Sequence, residues 1–204
     1  GSTGPNVMLI QSLLARLGYS PGPVDGIFGS MTRQAVIQFQ RDFGLAADGI
    51  VGPATWNVFE RFLRGYDNYT IRPGDTLYNI AGRFNTTLTA LLTANPGIQP
   101  ANLRIGQVIT VPYGIDVVFP DISYTYEIME RDIQGLKARY PFLEVGVIGQ
   151  SVMGKNLYYI RLGRGPRRVS YNGSHHANEW ITTPLLMKFI ENFCKAYSTG
   201  TNIR

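Results

Sequence analysis

Two copies of one phrase, DGIFGSMT at 25–32 and DGIVGPATW at 48–56, constrain the front of this chain more than any other feature. They share the pattern Asp-Gly-Ile-x-Gly-x-x-Thr at an offset of 23 residues, a spacing typical of repeated supersecondary units. Apolar residues follow each copy at helical spacing: Ala35, Val36, Phe39 and Phe43 after the first, Trp56, Phe59, Phe62 and Leu63 after the second. An earlier helix is expected from Val7, Ile10, Leu13, Leu14 and Leu17, opened by Pro5 and closed by Gly18. The front of the chain should therefore be three short helices joined by two matching turns. In those turns Gly26, Gly29, Gly49 and Gly52 would supply backbone freedom, and Asp25 and Asp48 would hydrogen-bond nearby amides.

Residues 64–68 read as a polar, glycine-containing hinge, after which the period changes. The stretch YTIRPGDTLYNIAGRFNTTLTALLTANPGIQPANLRIGQVITVP predicts a short strand, two short helices around Leu77, Ile80, Ala81, Phe84 and Leu88, Leu91, Leu92, and a second strand at 108–111. Such a small β-α-α-β unit has little core and depends on close packing. From residue 115 onward, Tyr126, Met129, Ile133, Leu136 and Tyr140 mark an amphipathic helix that stops at Pro141. Strands are expected at 143–148, 157–162 and 169–171, the first two as a hairpin about SVMGKNL, followed by a helix carrying Leu185, Leu186, Phe189, Ile190 and Phe193.

Composition bounds the function classes. Hydrophobic residues at 44% and charged residues at 16% describe a folded chain rather than a disordered polyelectrolyte. No run has the length of a membrane-spanning helix, and no secretory signal pattern is visible at the amino terminus, so no membrane partner is expected. Cys194 stands alone on an apolar helical stretch, which excludes a disulfide framework and a cysteine metal cluster. The net charge of +5 comes from scattered Lys and Arg, so no nucleic-acid partner is expected. A general attraction to an acidic polymer fits that charge.

One stretch concentrates chemistry: YNGSHHANEW at 171–180 holds both histidines of the chain. His176 and Glu179 are three apart, so on a turn entering a helix they can face one ion, whereas His175 has Asn178 at that offset. The expected strand before the stretch, Gly173 for a tight turn, and Trp180 packed behind the glutamate would favour a metal site over a polar surface turn. Ser174 beside His175 is a weaker catalytic pair, because adjacent side chains rarely converge. From the residues alone both the metal site and the surface turn stay open.

Three resemblances add to this reading. VMLIQSLLARLGY, VDGIFGSMTRQAVIQFQRDFGL and ADGIVGPATW resemble the helical peptidoglycan-binding domain of bacterial wall hydrolases. YTIRPGDTLYNIA, LLTANPGI and LRIGQVITVP resemble the LysM module, which implies recognition of N-acetylglucosamine-containing glycans at Gly74, Asp75, Thr76 and Leu77 and at Asn95, Pro96, Gly97 and Ile98. Without the family, Thr76 reads as a helix cap and Asn95-Pro96-Gly97 as a helix stop, and both roles can hold if the sugar meets mostly backbone. YNGSHHANEWITTPLLMKFIENF is similar to the zinc carboxypeptidase family, whose G-x-H-x-x-E-W motif implies His176 and Glu179 as ligands of one zinc ion.

The implied fold class is multidomain α+β: a three-helix peptidoglycan-binding domain at 1–65, a βααβ LysM domain at 66–114, and at 115–204 the amino-terminal part of a mixed-sheet α/β zinc carboxypeptidase fold. That family also uses a downstream histidine as third ligand and a later glutamate as general base. Both are expected beyond residue 204, so this polypeptide alone should be inactive and a carboxy-terminal fragment of the same enzyme becomes an expected partner.

The order of domains resembles bacterial γ-D-glutamyl-L-diamino acid endopeptidases, which implies cleavage of peptidoglycan stem peptides in a cell wall, outside the cell or in a spore. The competing reading is a non-catalytic peptidoglycan- or chitin-type glycan-binding protein.

Overall fold

The computed structural model describes residues 1–163, 165–176 and 178–201 of an α+β chain. The first three helices are α1 (Pro5–Arg16), α2 (Ser30–Asp42) and α3 (Pro53–Leu63). Pro5 opens α1 and Pro53 opens α3, where the missing N–H costs no hydrogen bond. Leu13, Leu14, Val36, Phe39 and Phe59 are fully buried between them, with the rings of Phe39 and Phe59 4.4 Å apart.

The repeat is explained by a residue outside it. Gln11 of α1 reaches into the first turn: its Nε2 donates to Asp25 Oδ1, the Ile27 carbonyl and Thr32 Oγ1 at 3.0–3.1 Å, and its Oε1 accepts from Gly26 N at 2.9 Å. Gln40 of α2 repeats the arrangement with Asp48, Ile50, Thr55 and Gly49 at 2.8–3.1 Å. Each buried amide is thereby saturated. Asp25 also accepts from Ile27 N, and Asp48 from Ile50 N. The hydrogen bond from Gln11 most of all holds the Asp25 carboxyl below its ordinary value, and the one from Ile50 N does most for Asp48.

Gly26 and Gly49 take φ of 75° and 72°, as a turn glycine should. Gly29 and Gly52 do not: they are the extended N-caps of α2 and α3 at φ −92° and −89°, a conformation open to any residue.

The next unit pairs β1 (Tyr66–Thr70) antiparallel with β2 (Val108–Pro112), in register from Tyr66 opposite Pro112 to Thr70 opposite Val108. Between them lie α4 (Leu77–Arg83) and α5 (Leu88–Ala94). The expected hinge at 64–68 is not formed. Arg64 caps α3, Gly65 turns at φ 79°, and β1 begins at Tyr66, because residues 66–68 find ladder partners in β2.

The third region contains α6 (Tyr126–Arg139), the hairpin β3 (Glu144–Gln150) and β4 (Asn156–Arg161), and α7 (Thr182–Thr199). The strand expected at 169–171 is not formed, and the sheets among the described residues are the two-stranded pairs β1–β2 and β3–β4. Among the described residues no strand lies beside Val169 and Tyr171 to complete a ladder, and both are exposed. No described helix is long and apolar enough to cross a membrane.

An irregular strap, residues 113–122, is packed into all three regions. Tyr113 lies between Phe62 and Phe84 at ring separations of 4.6 and 6.0 Å. Val117 and Val118 join the core formed by α6 and α7, while Phe119 and Ile122 join the core of α1 to α3. Asp121 accepts from Ser12 Oγ at 2.9 Å and Arg16 Nη2 at 2.8 Å, and the Arg16 guanidinium lies 4.4 Å from the Phe119 ring centre. A Cβ on Gly65 would come within 2.5 Å of Val117, so the strap closes on a position that only glycine allows.

Candidate functional site

The histidine-rich stretch forms a turn closed onto the start of α7. Ser174 takes a left-handed φ of 52°, and a Cβ on the preceding Gly173 would touch Leu186 and Thr182 at 3.1–3.3 Å. Thr182 ties the turn: its Oγ1 accepts from Ser174 N at 2.6 Å and donates to the Glu179 carbonyl at 2.7 Å. Ser174 Oγ lies 2.7 Å from Thr183 Oγ1, and Glu179 N donates to the His176 carbonyl at 3.0 Å.

This local closure brings the two side chains singled out by their spacing into contact. His176 Nδ1 lies 2.9 Å from Glu179 Oε1. The side chains of both are substantially exposed, at 68% and 45%, so an ion could reach them without any rearrangement of the core. His175 presents its ring edge-on to His176 at 5.0 Å and has no part in the carboxylate contact.

The donor set fits one zinc ion in part. Imidazole nitrogen and carboxylate oxygen on a tetrahedral zinc sit about 3.4 Å apart, so the present contact would have to open by about half an ångström. No group of three or more His, Cys, Asp or Glu side chains converges among the described residues. Trp180 does not brace the glutamate as expected. It is 58% exposed, because the turn is held instead by Ser174, Thr182 and Thr183.

The residues implied as glycan contacts are mostly committed to the fold. Thr76 Oγ1 accepts from Asn79 N at 3.1 Å, while the Asn79 side chain accepts from Thr76 N at 3.0 Å, a reciprocal cap on α4. Asp75 accepts from Tyr69 Oη, Arg72 N and Arg83 Nη2 at 2.5–2.8 Å. Burial of Asp75 opposes ionisation, but these donors together hold its carboxyl below the ordinary value. Leu77 is buried, leaving only backbone to offer a ligand.

Asn95 stops α5 and grips β2, bonding both N–H and C=O of Thr110 at 2.7–2.8 Å. Gly74 and Gly97 turn at φ 81° and 84°, and Pro96 is exposed between the helix stop and the second of these. Gly97 and the half-buried Ile98 border an open hollow of about 550 Å³ that continues past Asn102 to Gln107 and does not include 74–77. On the far side of that hollow, Arg104, Ile105 and Gln107 lie within the LRIGQVITVP phrase and Gln99 and Asn102 just before it, but only the folded loop brings these side chains around one space.

Comparison with known proteins finds a family match in three separate segments of the chain. Residues 3–59 match the peptidoglycan binding domain family model, 69–112 that of the LysM domain, and 129–204 that of the zinc carboxypeptidases. Three consecutive segments of the chain thus match, in order, a peptidoglycan binding domain, a LysM domain and a zinc carboxypeptidase.

It is 41% identical to gamma-D-glutamyl-L-diamino acid endopeptidase 1 of Lysinibacillus sphaericus, with 66% of this chain and 47% of that protein covered. It is also 50% identical to the zinc D-Ala-D-Ala carboxypeptidase of Streptomyces albus G, over 28% of this chain and 23% of that one. A spore cortex-lytic enzyme of Bacillus cereus is 38% identical over 37% of this chain and 29% of its own length. The chain spans about half the length of the endopeptidase and less of the other two.

Proposed function

We propose that residues 1–204 form the wall-binding and first metal-binding parts of a peptidoglycan hydrolase, a zinc peptidase that cuts stem peptides at the γ-D-glutamyl bond before the diamino acid. The observation that carries this reading is the His176–Glu179 contact on a closed turn inside the segment that matches zinc carboxypeptidases. His176 would give a neutral imidazole nitrogen and Glu179 a carboxylate oxygen to one ion. Zinc held there would polarise the scissile carbonyl and lower the pKa of a bound water to about 7.

Both histidines of the sequence are adjacent and only one faces Glu179; in this reading a third ligand, and the base that takes the proton from water, would be supplied by a further part of the enzyme. The boundaries that go with this reading are 1–65, 66–114 and 115–204. The first two parts would hold the enzyme on its insoluble substrate and raise its effective concentration there. Gly74–Leu77 and Asn95–Ile98 would meet the glycan through backbone groups, and the site of action would be the cell wall, the extracellular space or the spore.

The test is hydrolysis of purified muropeptides, followed by mass spectrometry, with metal content measured in parallel. The protein carrying its downstream histidine should release the diamino-acid-containing product, hold one zinc per chain and lose activity to a chelator. Saturable binding to wall material without any cleavage, whatever metal is supplied, would instead establish a non-catalytic wall-binding protein.

A further inference from the structure

The hollow after α5 is bordered by a cation that has no ion-pair partner among the described residues. Three arginines lie within 66–112. Arg83 pairs with Asp75, and both Arg72 and Arg83 stand over the Tyr69 ring. Arg104, on the wall of the hollow, has neither an ion pair nor an aromatic partner among the described residues. The module's own carboxylates are already engaged: Asp67 by Arg61 and Tyr113, Asp75 by Arg83, Tyr69 and Arg72 N.

Other groups on the same wall are also uncommitted. The side-chain amides of Gln99 and Asn102 make no hydrogen bond among the described residues, and Ile105 is 69% exposed beside them. A guanidinium, two amides and an apolar ledge around about 550 Å³ suit a sugar ring that bears both an acetamido group and a carboxylate.

We propose that Arg104 selects anionic wall glycan over neutral N-acetylglucosamine polymer by binding a carboxylate of the muramic acid unit, while Ile105, Gln99 and Asn102 take the ring and its acetamido group. This rests on the reading of the LysM domain as a glycan-binding module. The fork of a guanidinium matches a carboxylate in geometry as well as charge, which a neutral saccharide cannot reproduce. Because the hollow is open to water, the selectivity is modest and falls with salt. The carboxylate has two sources, the lactyl group of an unsubstituted muramic acid and the stem peptide of a substituted one.

The experiment is an amide- and side-chain-resolved NMR titration of the intact protein with four saccharides. They are a GlcNAc–MurNAc tetrasaccharide with free lactyl carboxylates, the same compound with those groups amidated, a counterpart bearing stem peptides, and a GlcNAc tetramer. Perturbations should fall on Gln99, Asn102 and Arg104. Arg104→Gln should weaken a carboxylate-bearing saccharide about fivefold and leave the amidated one and the GlcNAc tetramer within twofold.

A loss confined to the lactyl form or to the peptide form identifies the source of the carboxylate. Equal wild-type affinity for the free and amidated tetrasaccharides, or an equal loss on all four in Arg104→Gln, overturns the proposal. Absence of any perturbation within 69–112 by any of the saccharides overturns the glycan reading of the module as well.

Discussion

At the scale of single residues, the saturated amides of Gln11 and Gln40 make the sharpest prediction. Gln40→Ala removes four hydrogen bonds, strands the buried amide of Gly49 and leaves the Thr55 hydroxyl only its long bond to the Ile50 carbonyl at 3.4 Å. A loss of about 2–4 kcal/mol in urea unfolding is expected, with a similar loss for Gln11→Ala. Gly49→Ala should also destabilise, because a Cβ there combines positive φ with a 2.7 Å approach to the Arg33 side chain.

The candidate metal turn yields a second contrast at this scale. Removing one of the two proposed ligands in Glu179→Ala should weaken zinc binding at least about tenfold in a competition titration, while His175→Ala should stay within about twofold. Equal losses in the two variants would mean that the His176–Glu179 contact is a surface ion pair.

At the scale of elements, α6 and α7 are joined to the strap by a buried polar cluster. Glu191 of α7 is fully buried and accepts from Val117 N at 2.7 Å, Val118 N at 3.3 Å and Lys188 Nζ at 2.8 Å. Arg139 of α6 donates to the Ile115 carbonyl at 2.7 Å, and Asp116 bridges Lys188 and Lys195. Burial of Asp116 raises its pKa, but the two lysines outweigh it and bring the value from 3.8 down to about 2. Its stabilising contribution is therefore complete above the ordinary carboxylate value and is lost as pH falls toward 2.

Asp132 on α6 behaves in the opposite sense. Burial, only partly offset by Arg131 and the Tyr124 hydroxyl, pushes it from 3.8 up to about 7. The folded chain then keeps a proton that the unfolded chain has released, so stability declines as pH rises from 3.8 to about 7. Asp132→Asn should flatten the urea midpoint across that window. A decline of unchanged slope in the variant would assign it to other groups.

At the scale of the whole molecule, the strap makes the three parts one mechanical body rather than beads on a string. Phe119, fully buried in the first core, follows directly on Val117 and Val118, which lie in the third. Phe119→Ala should cost about 3–5 kcal/mol and release the three-helix unit from the rest. In scanning calorimetry the wild type is expected to unfold in one transition and the variant in two. A variant that still unfolds in a single, merely lowered transition would show that coupling runs through the LysM unit instead. Since α7 continues from the candidate metal turn, this packing also sets how the wall-binding helices are oriented relative to His176 and Glu179.

The helices and both hairpin strands were legible because their apolar periods are local, and so was the pairing of His176 with Glu179, which needs only a turn into a helix. DGIxGxxT could be seen as a repeated turn for the same reason, but not why it repeats. Gln11 and Gln40 lie at different distances from their aspartates, so nothing in the one-dimensional spacing links them to the turns they fill.

The strand expected at 169–171 failed because a ladder needs a neighbour that a short apolar pattern cannot supply. The supposed hinge at 64–68 became β1 because its partner lies some forty residues away in sequence. Amino-acid order alone thus determined which segments fold and which residues could hold an ion or a sugar. Tertiary structure decided what fills the turns, what binds the three units together, and that Arg104 faces an open hollow with no carboxylate of its own.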